Sequence, residues 1–408
     1  MTTIRTVNCP LHGFITLTPR MCQIVDTKEF KKLYRLRQLG ATYLVYPSAN
    51  HTRYEHSLGV SHLAKLLMVS LRDKNPSLNI DNVLIELVQI AGLIHDIGHG
   101  PFSHLYDDNL LEPNEPEHEE RGILIFQNMV KKYNLPFKEE EINLIVELVN
   151  PSDENKNNWL YQIIANKYCS IDVDKIDYIQ RDSYHLGFGL SEKYERLITM
   201  ADVKMLDDNL VLAWPEKLQD EIMSLFETRY RLHKKVYCHH TVKAVEYIVV
   251  DILHQIINNT HLSFEDLYDD IISFPFGDEK IKELQKNLAF RKFPKLIGEK
   301  IIAVNMCPDS SEEEKWSNNL NKLGAIITQA GIKHKGISKC KIGFISGNGE
   351  NPLINVPYFK KTIRNAYKIN HYASFMAPQN CQEYIYRIYT NNENGIEEAR
   401  SLWTTFIR

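Results

Sequence analysis

Residues 91–104 decide the fold, and they read Ala91-Gly-Leu-Ile-His95-Asp96-Ile-Gly-His99-Gly100-Pro101-Phe-Ser-His104. They follow a largely apolar run that predicts a buried helix. Adjacent helical residues point about 100° apart, so His95 and Asp96 reach one metal only at the edge of a helical face. His99 would share that edge, and Pro101 would end the helix. Imidazoles beside a carboxylate suit a divalent metal that activates water, and a buried His–Asp hydrogen bond is the alternative.

The composition is that of an ordinary globular protein. The 408 residues are 43% hydrophobic and 25% charged, with a net charge of −4 that attracts neither nucleic acid nor an anionic membrane. We find no signal peptide and no apolar run that approaches a membrane span. Seven scattered cysteines without a Cys-x-x-Cys motif argue against a disulfide framework and a structural zinc site. We expect an intracellular protein, cytoplasmic or nuclear, that is neither secreted nor bound to a membrane.

A further histidine opens a helix with an apolar face. In the string Arg53-Tyr-Glu-His56-Ser-Leu-Gly-Val, His56 stands in the first turn and apolar residues follow at helical spacing. A histidine at the start of an inward-packing helix can meet the His95-Asp96 segment. A hydrogen-bonded core histidine is the alternative.

The second informative stretch is Ile171-Asp-Val-Asp174-Lys175-Ile-Asp-Tyr178-Ile-Gln-Arg-Asp182. Asp174, Tyr178 and Asp182 are four residues apart, so they share one face of a helix. Two carboxylates and a phenol suit a metal together with a sugar, and a polar surface stripe is the alternative. Asp172 and Asp177 lie off that face and can cap the helix or pair with neighbouring cations.

Basic and acidic neighbours mark two more segments. Arg229, His233, Tyr237 and His240 recur at near-helical spacing among lysines, which suits a triphosphate, although a solvated basic helix has the same pattern. The acidic neighbours of His118 would raise its pKa and keep it protonated near neutrality, and a plain surface histidine is the alternative.

The rest of the chain predicts a mainly α fold. We expect a helical catalytic domain over residues 1–270 and a smaller α+β lobe over 271–408 that contributes to the oligomer and to nucleotide-site assembly. Periodicity predicts further elements: a strand at 14–18, helices at 20–40, two helices within 122–150, long helices within 216–258, a polar loop at 309–314, a strand–turn–strand unit at 342–353, and helices at 380–389 and 396–407.

His56, His95-Asp96 and Asp174 in this order form the H…HD…D signature of HD-domain metal phosphohydrolases. With Gln89-Ile-Ala-Gly-Leu-Ile before His95 and Arg181-Asp182 after Tyr178, the chain resembles the SAM-and-HD-domain deoxynucleoside triphosphate triphosphohydrolases. The likeness is strong over residues 5–260 and weak beyond, as at Asn351-Pro-Leu and Tyr386-Arg-Ile-Tyr389. Since the catalytic lobe begins almost at Met1, we expect no SAM module.

The resemblance implies a role for each matching residue. The metal, which would be Mn, Fe, Mg or Zn, would be held by His56, His95, Asp96 and Asp174. The α-phosphate would be surrounded by His99, His104 and His118, with His118 transferring the proton and His104 supporting it with Asp107. Arg53, Lys175 and Arg229 would hold the triphosphate. Tyr178 would exclude a 2′-hydroxyl, Asp182 and Gln38 would bond the 3′-hydroxyl, and Leu39, His233 and Tyr237 would line the sugar and base pocket.

Members of this family also bind activating nucleotides, GTP and dNTPs, between the subunits of a tetramer. The first nucleotide site corresponds here to Arg5, Asn8, Asp26 and Lys31, and the second to Val45, Tyr46, Arg196, Lys217, Lys235 and His239. The chain departs from the family at three places. Tyr34 stands where the family has a guanine-contacting arginine, Cys9 replaces an aspartate and His240 replaces a lysine. The first departure weakens the expectation that GTP activates this protein.

The leading hypothesis is therefore a metal-dependent dNTP triphosphohydrolase that releases a deoxynucleoside and tripolyphosphate, in a homo-oligomer between dimer and tetramer. An HD-type phosphodiesterase or (p)ppGpp-like hydrolase would keep the metal site and change the substrate. A nucleotide- or nucleic-acid-binding scaffold would keep the fold alone. The reaction products discriminate among these hypotheses.

Overall fold

The computed structural model describes residues 4–112, 114–189, 194–260, 262–304, 310–332, 334–343, 352–363, 365–369, 382–391 and 394–407. Helices dominate. They are α1 (Pro19–Val25), α2 (Lys28–Lys31), α3 (Arg53–Lys74), α4 (Asn82–Ile94), α5 (His104–Leu110), α6 (His118–Lys132), α7 (Glu139–Val149), α8 (Val173–Leu186), α9 (Glu195–Thr199), α10 (Gln219–Leu232), α11 (His240–Asn259), α12 (Glu279–Ala289), α13 (Ser310–Gln329), α14 (Pro352–Asn355) and α15 (Ile396–Phe406).

Within the described residues, three small sheets accompany the helices. Their strands are β1 (Arg5–Cys9), β2 (Gly13–Leu17), β3 (Asp202–Leu206), β4 (Asn209–Pro215), β5 (Lys295–Val304), β6 (His334–Gly343), β7 (Tyr358–Phe359) and β8 (Gln382–Thr390). Strands β1 and β2 form an antiparallel hairpin. Strand β4 lies between antiparallel β3 and parallel β7, and β8 lies between β5 and β6 in an antiparallel sheet. The mainly α fold with an α+β lobe is thereby confirmed.

Helices α3, α4 and α8 form the centre of the catalytic region. Their buried side chains belong to one large apolar core. Asp172 caps the start of helix α8, and its carboxylate accepts a hydrogen bond from the Lys175 amide at 2.8 Å. Helices α3 and α8 meet at Gly59, where a β-carbon would lie 2.0 Å from Asp177 Oδ1. This close approach needs glycine and brings the polar faces of α3 and α8 together.

The C-terminal sheet corrects a sequence prediction. The described part of segment 380–389, predicted as a helix, belongs to strand β8, which is buried along its whole length. One set of its side chains packs under α13 and α15. The other includes Ile385, which packs on Cys238 and Cys340. Tyr-Ile-Tyr-Arg-Ile-Tyr is rich in aromatic and β-branched residues, which favour a strand, and burial of both faces hides the alternation that would identify one.

Other predicted boundaries move as well. The helix predicted at 20–40 is divided into α1, α2 and a short 3-10 turn, because the Thr27 side chain caps a new helix by accepting from the Phe30 amide. The loop predicted at 309–314 is the start of α13 from Ser310 onward. The unit predicted at 342–353 lies partly outside the described residues. Asn351, which belongs to the family resemblance, also lies outside them. In the part of the chain that is described, no helix is long and apolar enough to cross a membrane.

Candidate metal centre and active site

Three predicted metal ligands converge. His56 from α3, His95 from the end of α4 and Asp174 from α8 each offer a ligand atom, and these atoms all lie within 4.8 Å of one another. Nε2 of His56 is 2.9 Å from Oδ1 of Asp174 and 3.3 Å from Nε2 of His95. The arrangement brings two imidazole nitrogens and a carboxylate to one point, as a divalent metal requires.

The fourth predicted ligand, Asp96, lies at the rim of this cluster. Its Oδ2 is 3.7 Å from Nε2 of His56 and its Oδ1 is 3.5 Å from Nε2 of His95. Its Oδ2 also accepts a very short hydrogen bond from the Arg53 guanidinium. The charge of Arg53 and the nearby histidines hold the pKa of the buried Asp96 carboxyl well below its usual range despite desolvation.

Helix α4 ends before the HD pair, contrary to the prediction. Its last residue is Ile94, and a turn follows in which the Ile97 amide bonds to Ile94 O. His95 is fixed by a 2.8 Å hydrogen bond from Nδ1 to Gly92 O, which leaves Nε2 for a metal. His99 therefore does not share a helical edge with His95.

Charge and burial act in opposite directions on the metal-ligand side chains. Burial alone would lower the pKa of His56, but hydrogen bonds to Asp174 and Asp177 outweigh it and raise that pKa to about 10. Burial would raise the pKa of Asp174, but hydrogen bonds with His56 and His95 outweigh it and lower that pKa below its ordinary value. The carboxylate is therefore ionised at neutral pH, and a metal would compete with a proton for His56.

Behind His56 lies Asp177, which sequence reasoning placed off the functional face. It pairs with Arg181 as expected, and its carboxylate is also 2.8 Å from Nδ1 of His56 and 2.6 Å from Nε2 of His12. A carboxylate on the far nitrogen of a ligating histidine fixes the ring and its tautomer. The only sequence signal was an aspartate three residues after Asp174.

A second cluster contains the three histidines predicted to surround the α-phosphate. A ligand atom from each of His99, His104 and His118 lies within 4.8 Å of the others. Nδ1 of His118 is 2.8 Å from the Asp107 carboxylate, which also pairs with Arg121. Asp107 thus contacts His118 directly, whereas the resemblance implied support shared with His104.

The two ends of this cluster differ in charge. Burial lowers the pKa of His118, but hydrogen bonds to Asp107 and Glu119 outweigh burial and raise it to about 9. Burial and the charge of Arg53 lower the pKa of His104 to about 4 and that of His99 well below its usual value. One protonated imidazole therefore stands beside two neutral ones at neutral pH.

The loop between these clusters is strained and anchored. Phe102 and Ser103 have φ of 60°, a conformation that is costly for residues other than glycine. The Phe102 amide donates to the Asp269 carboxylate at 2.7 Å, and Ser103 Oγ accepts from Arg53 Nε at 2.9 Å. Asp269 is fully buried, and sequence reasoning did not identify it.

One cavity of about 770 Å³ connects these groups with the predicted substrate residues. Its lining includes members of both clusters and Gln38, Leu39, Arg53, Tyr178, Asp182, Arg229, His233 and Tyr237. Two buried lining atoms, Oε1 of Gln38 and Nε2 of His99, have no hydrogen-bond partner among the residues that the structure describes. Buried polar atoms without partners are costly, so they indicate that a polar ligand completes the cavity.

Hydrogen bonds order the middle of the cavity. Arg229 Nε lies 3.2 Å from the Tyr178 hydroxyl, and Arg229 also donates to Gly343 O of β6 at 2.7 Å. Asp182 is almost fully buried and accepts from the Tyr237 hydroxyl and from Nε2 of His51 at 2.7 Å. The α+β lobe therefore holds the arginine that the catalytic helices present.

Two predicted residues line a different space. His95 and Lys175 line a neighbouring cavity of about 410 Å³, which shares Asp96, Asp174 and His118 with the larger one. Lys175 is buried and its Nζ lies 3.4 Å from Asp172. The metal cluster therefore stands between two cavities.

The residues predicted for activating nucleotides are spread over the surface. Arg5 pairs with Asp26 at 2.7 Å, and the Lys31 ammonium lies 3.9 Å from the Asp26 carboxylate. Asn8, three residues after Arg5, is exposed. Tyr34, 53% exposed, stacks on Tyr54 with ring centroids 3.6 Å apart.

The second predicted nucleotide site is only partly assembled within one chain. The Tyr46 hydroxyl donates to Lys235 O at 2.7 Å, and the Tyr46 ring lies 5.7 Å from that of His239. Val45 precedes Tyr46 in the chain, Arg196 pairs with Glu221, and Lys217 is exposed.

Comparison with known proteins agrees with this geometry. The HD domain family matches residues 53–182, which run from Arg53 to Asp182 and include all four predicted metal ligands. An HD domain-containing protein of Acanthamoeba polyphaga mimivirus is 34% identical over 87% of this chain and 80% of its own length. The chain belongs to the HD-domain family.

Other relatives carry a more specific name. The human deoxynucleoside triphosphate triphosphohydrolase SAMHD1 is 37% identical over 61% of this chain, which spans under half, 44%, of the human protein. The zebrafish protein of the same name is 28% identical over 97% of this chain and 73% of its own length. This HD-domain chain is a phosphohydrolase that resembles the SAMHD1 enzymes.

Proposed function

We propose that this HD-domain protein is a metal-dependent dNTP triphosphohydrolase, which cleaves a dNTP to a deoxynucleoside and tripolyphosphate. The observation that carries the proposal is the shared cavity. One continuous space is lined by His56, Asp96 and Asp174 of the metal-ligand group, by the protonated His118, by Arg53 and Arg229, and by Tyr178 and the buried Asp182. The names of the relatives support the same reaction.

The residues fit a divalent metal. His56, His95 and Asp174 would hold the ion. Asp96 would be the fourth ligand, with its carboxylate shared between the ion and Arg53. Their donor set is compatible with Mn, Fe, Mg or Zn, because imidazole and carboxylate together suit all four. When bound, the metal supplies Lewis-acid stabilisation of phosphate charge and activation of water.

The protein side chains neutralise the remaining charge and transfer the proton. Arg53 and Arg229, which line the large cavity, bind phosphate oxygens of the substrate, and Lys175 does so from the neighbouring cavity. His99 and His104 are neutral and close to the α-phosphate, and His118 carries the proton that the leaving 5′-oxygen requires. Asp107 orients His118 and keeps it protonated.

The sugar is held where α8 meets the π-helical turn His233–Tyr237. Tyr178 packs on the deoxyribose and leaves no room for a 2′-hydroxyl. Asp182 and Oε1 of Gln38 accept the hydrogen of the 3′-hydroxyl, and Leu39, His233 and Tyr237 line the sugar and base pocket. Gln38 Oε1 then gains the partner that it lacks.

Regulation is the second part of the proposal. We infer a homo-oligomer with intersubunit nucleotide sites at the two surface clusters, in an intracellular location. GTP binding at the first site would use Arg5, Asn8, Asp26 and Lys31. Tyr34 stacks on Tyr54 and offers no guanidinium, so activation by a dNTP or activity without activator is the expected difference.

Product analysis tests the reaction. The purified protein is incubated with Mn²⁺ and each dNTP, with and without GTP, and the products are separated by ion-exchange chromatography. Deoxynucleoside with intact tripolyphosphate is the expected result. Pyrophosphate or orthophosphate would favour a phosphodiesterase or a (p)ppGpp-like hydrolase, and no turnover under any mixture would favour a binding scaffold.

A further inference from the structure

One face of α11 forms a wall of the large cavity. The residues of this wall have no role in the proposed reaction. Lys243, Glu246, Tyr247 and Val250 all line the cavity, at the i, i+3, i+4 and i+7 spacing of a single helical face. The Tyr247 ring packs edge-on against Tyr389 of β8, with centroids 5.5 Å apart. The wall is therefore braced by the C-terminal sheet.

Helix α8 gives the position of this wall along the substrate. Asp174 in the metal cluster and Asp182 are eight residues apart, or about 12 Å along the helix. In the proposed function, the phosphates bind beside Asp174 and the sugar binds beside Asp182. The Tyr237 hydroxyl bonds to Asp182, and Tyr237, Asp182 and His233 line the same cavity as Lys243. The wall thus adjoins the space for the base.

The polar groups of the wall form a donor beside an acceptor. Nζ of Lys243 donates to Oε2 of Glu246 at 2.8 Å, and both side chains are mostly buried, with 26% and 20% exposed. Within the described part of the chain, Oε1 of Glu246 accepts no hydrogen bond. A partly buried carboxylate with a free oxygen can distinguish ligands by the N–H groups that they present.

We propose that Lys243 and Glu246 read the Watson–Crick edge of guanine, so that dGTP is the preferred substrate. Guanine presents an acceptor, O6, next to two donors, N1–H and the N2 amino group. Lys243 donates to O6 while Glu246 accepts from N1–H and N2–H. Adenine, cytosine and thymine each offer one donor on this edge, so the carboxylate would lose a bond with them. This inference rests on the proposed triphosphohydrolase function.

The test is the kcat/KM of the purified protein for each of the four dNTPs, measured in parallel without GTP and with one fixed GTP concentration so that activation is separated from base recognition. We expect dGTP to exceed the other three by about tenfold, the discrimination that a bidentate base contact gives. In Glu246→Gln, the side-chain NH2 group, which is a donor, would face the N–H donors of guanine. The substitution should lower kcat/KM for dGTP by about tenfold and change the value for dTTP by less than about twofold.

Asp251→Asn is the matched control. It also breaks a lysine–carboxylate pair, here between Asp251 of α11 and Lys335 of β6. Neither of these residues lines the cavity. It should leave the relative kcat/KM values of the four substrates unchanged. Equal losses for all four dNTPs in Glu246→Gln, or a wild-type protein indifferent to the base, would overturn the assignment.

A binding measurement separates this inference from the reaction itself. Calorimetric titration of EDTA-treated protein with dGTP and with dATP reports base recognition without turnover. Tighter binding of dGTP, abolished by Glu246→Gln, supports the guanine contact even if hydrolysis yields other products. Equal affinities would contradict it, whereas the absence of tripolyphosphate alone would contradict only the proposed reaction.

Discussion

The carboxylate of Asp177 joins two histidines, with one oxygen 2.8 Å from Nδ1 of His56 and the other 2.6 Å from Nε2 of His12. Because His56 presents its other nitrogen to the metal cluster, Asp177 controls the orientation and basicity of that ligand. Arg181 compensates the buried charge with bonds of 2.8 and 3.0 Å to the same carboxylate. The metal centre thus depends on a residue that would not touch the metal.

Asp177→Asn should weaken metal binding by about 10–100-fold, because partners of ligating histidines have effects of this size. Competition titration with a chromophoric chelator measures the affinity. Arg181 would also lose its main partner, so the folded state should lose about 3–5 kcal/mol. The titration is done well below the melting temperature for this reason. Asp107→Asn, which changes a carboxylate on His118 instead, should keep wild-type metal affinity, and equal affinities in both variants would refute the role of Asp177.

His95→Gln should remove metal and hydrolysis together. The Gly92 contact holds the imidazole in place, and glutamine cannot reproduce the position of Nε2 relative to His56 and Asp174. Metal content of the purified variant is measured by plasma mass spectrometry beside its product assay. His254→Gln, an exposed histidine on α11, is the control and should retain both. A His95→Gln protein without metal and with full activity would exclude the proposed centre.

The activity should fall on the alkaline side as His118 loses its proton. The pKa of His118 is raised from 6.5 to about 9, so the stabilisation from its ion pairs is fully present below about pH 6.5 and disappears as pH rises through about 9. We expect the alkaline limb of kcat near that value. Asp107→Asn removes one hydrogen-bonded carboxylate and should move the limb to lower pH. If the alkaline limb of Asp107→Asn stays at the wild-type pH, the limb reports the titration of another group.

Tyr178→Ala should admit ribonucleotides. The phenol fills the space beside the sugar and bonds to Arg229 at 3.2 Å. Its removal should raise the kcat/KM for NTPs relative to dNTPs by about tenfold, the range expected when a pocket loses a small steric block. Tyr178→Phe keeps the ring without the Arg229 bond and should still reject NTPs. Unchanged rejection in Tyr178→Ala would show that another residue excludes the 2′-hydroxyl.

Gly59→Ala should destabilise the whole catalytic region. The added methyl would lie 2.0 Å from Asp177 Oδ1 and 2.4 Å from a guanidinium nitrogen of Arg181, both buried. Separating α3 from α8 should cost about 1–3 kcal/mol, which urea denaturation measures. Gly189→Ala meets no atom within 4 Å and should change stability by less than about 0.5 kcal/mol. Similar midpoints for the two variants would argue against the close helix contact.

Local patterns predicted the helices that carry the candidate site. The apolar run before His95 predicted α4 as a buried helix, and the four-residue spacing of Asp174, Tyr178 and Asp182 placed all three on α8. The caps at Thr27 and Asp172 follow from adjacent residues, so the sequence contains them too. Helical periodicity and capping depend on neighbours within a few positions, which is why they can be read directly.

What the tertiary structure decided is the set of partners that come from distant segments. Asp269 holds the strained loop at Phe102, Asp177 joins His12 to His56, and Arg229 reaches Gly343 across the two lobes. Strand β8 was mistaken for a helix because burial on both faces removes the alternation that marks a strand. The sequence by itself predicted which residues would carry the metal and phosphate chemistry. Only folding decided which carboxylates hold them in place, because those contacts join positions a hundred or more residues apart.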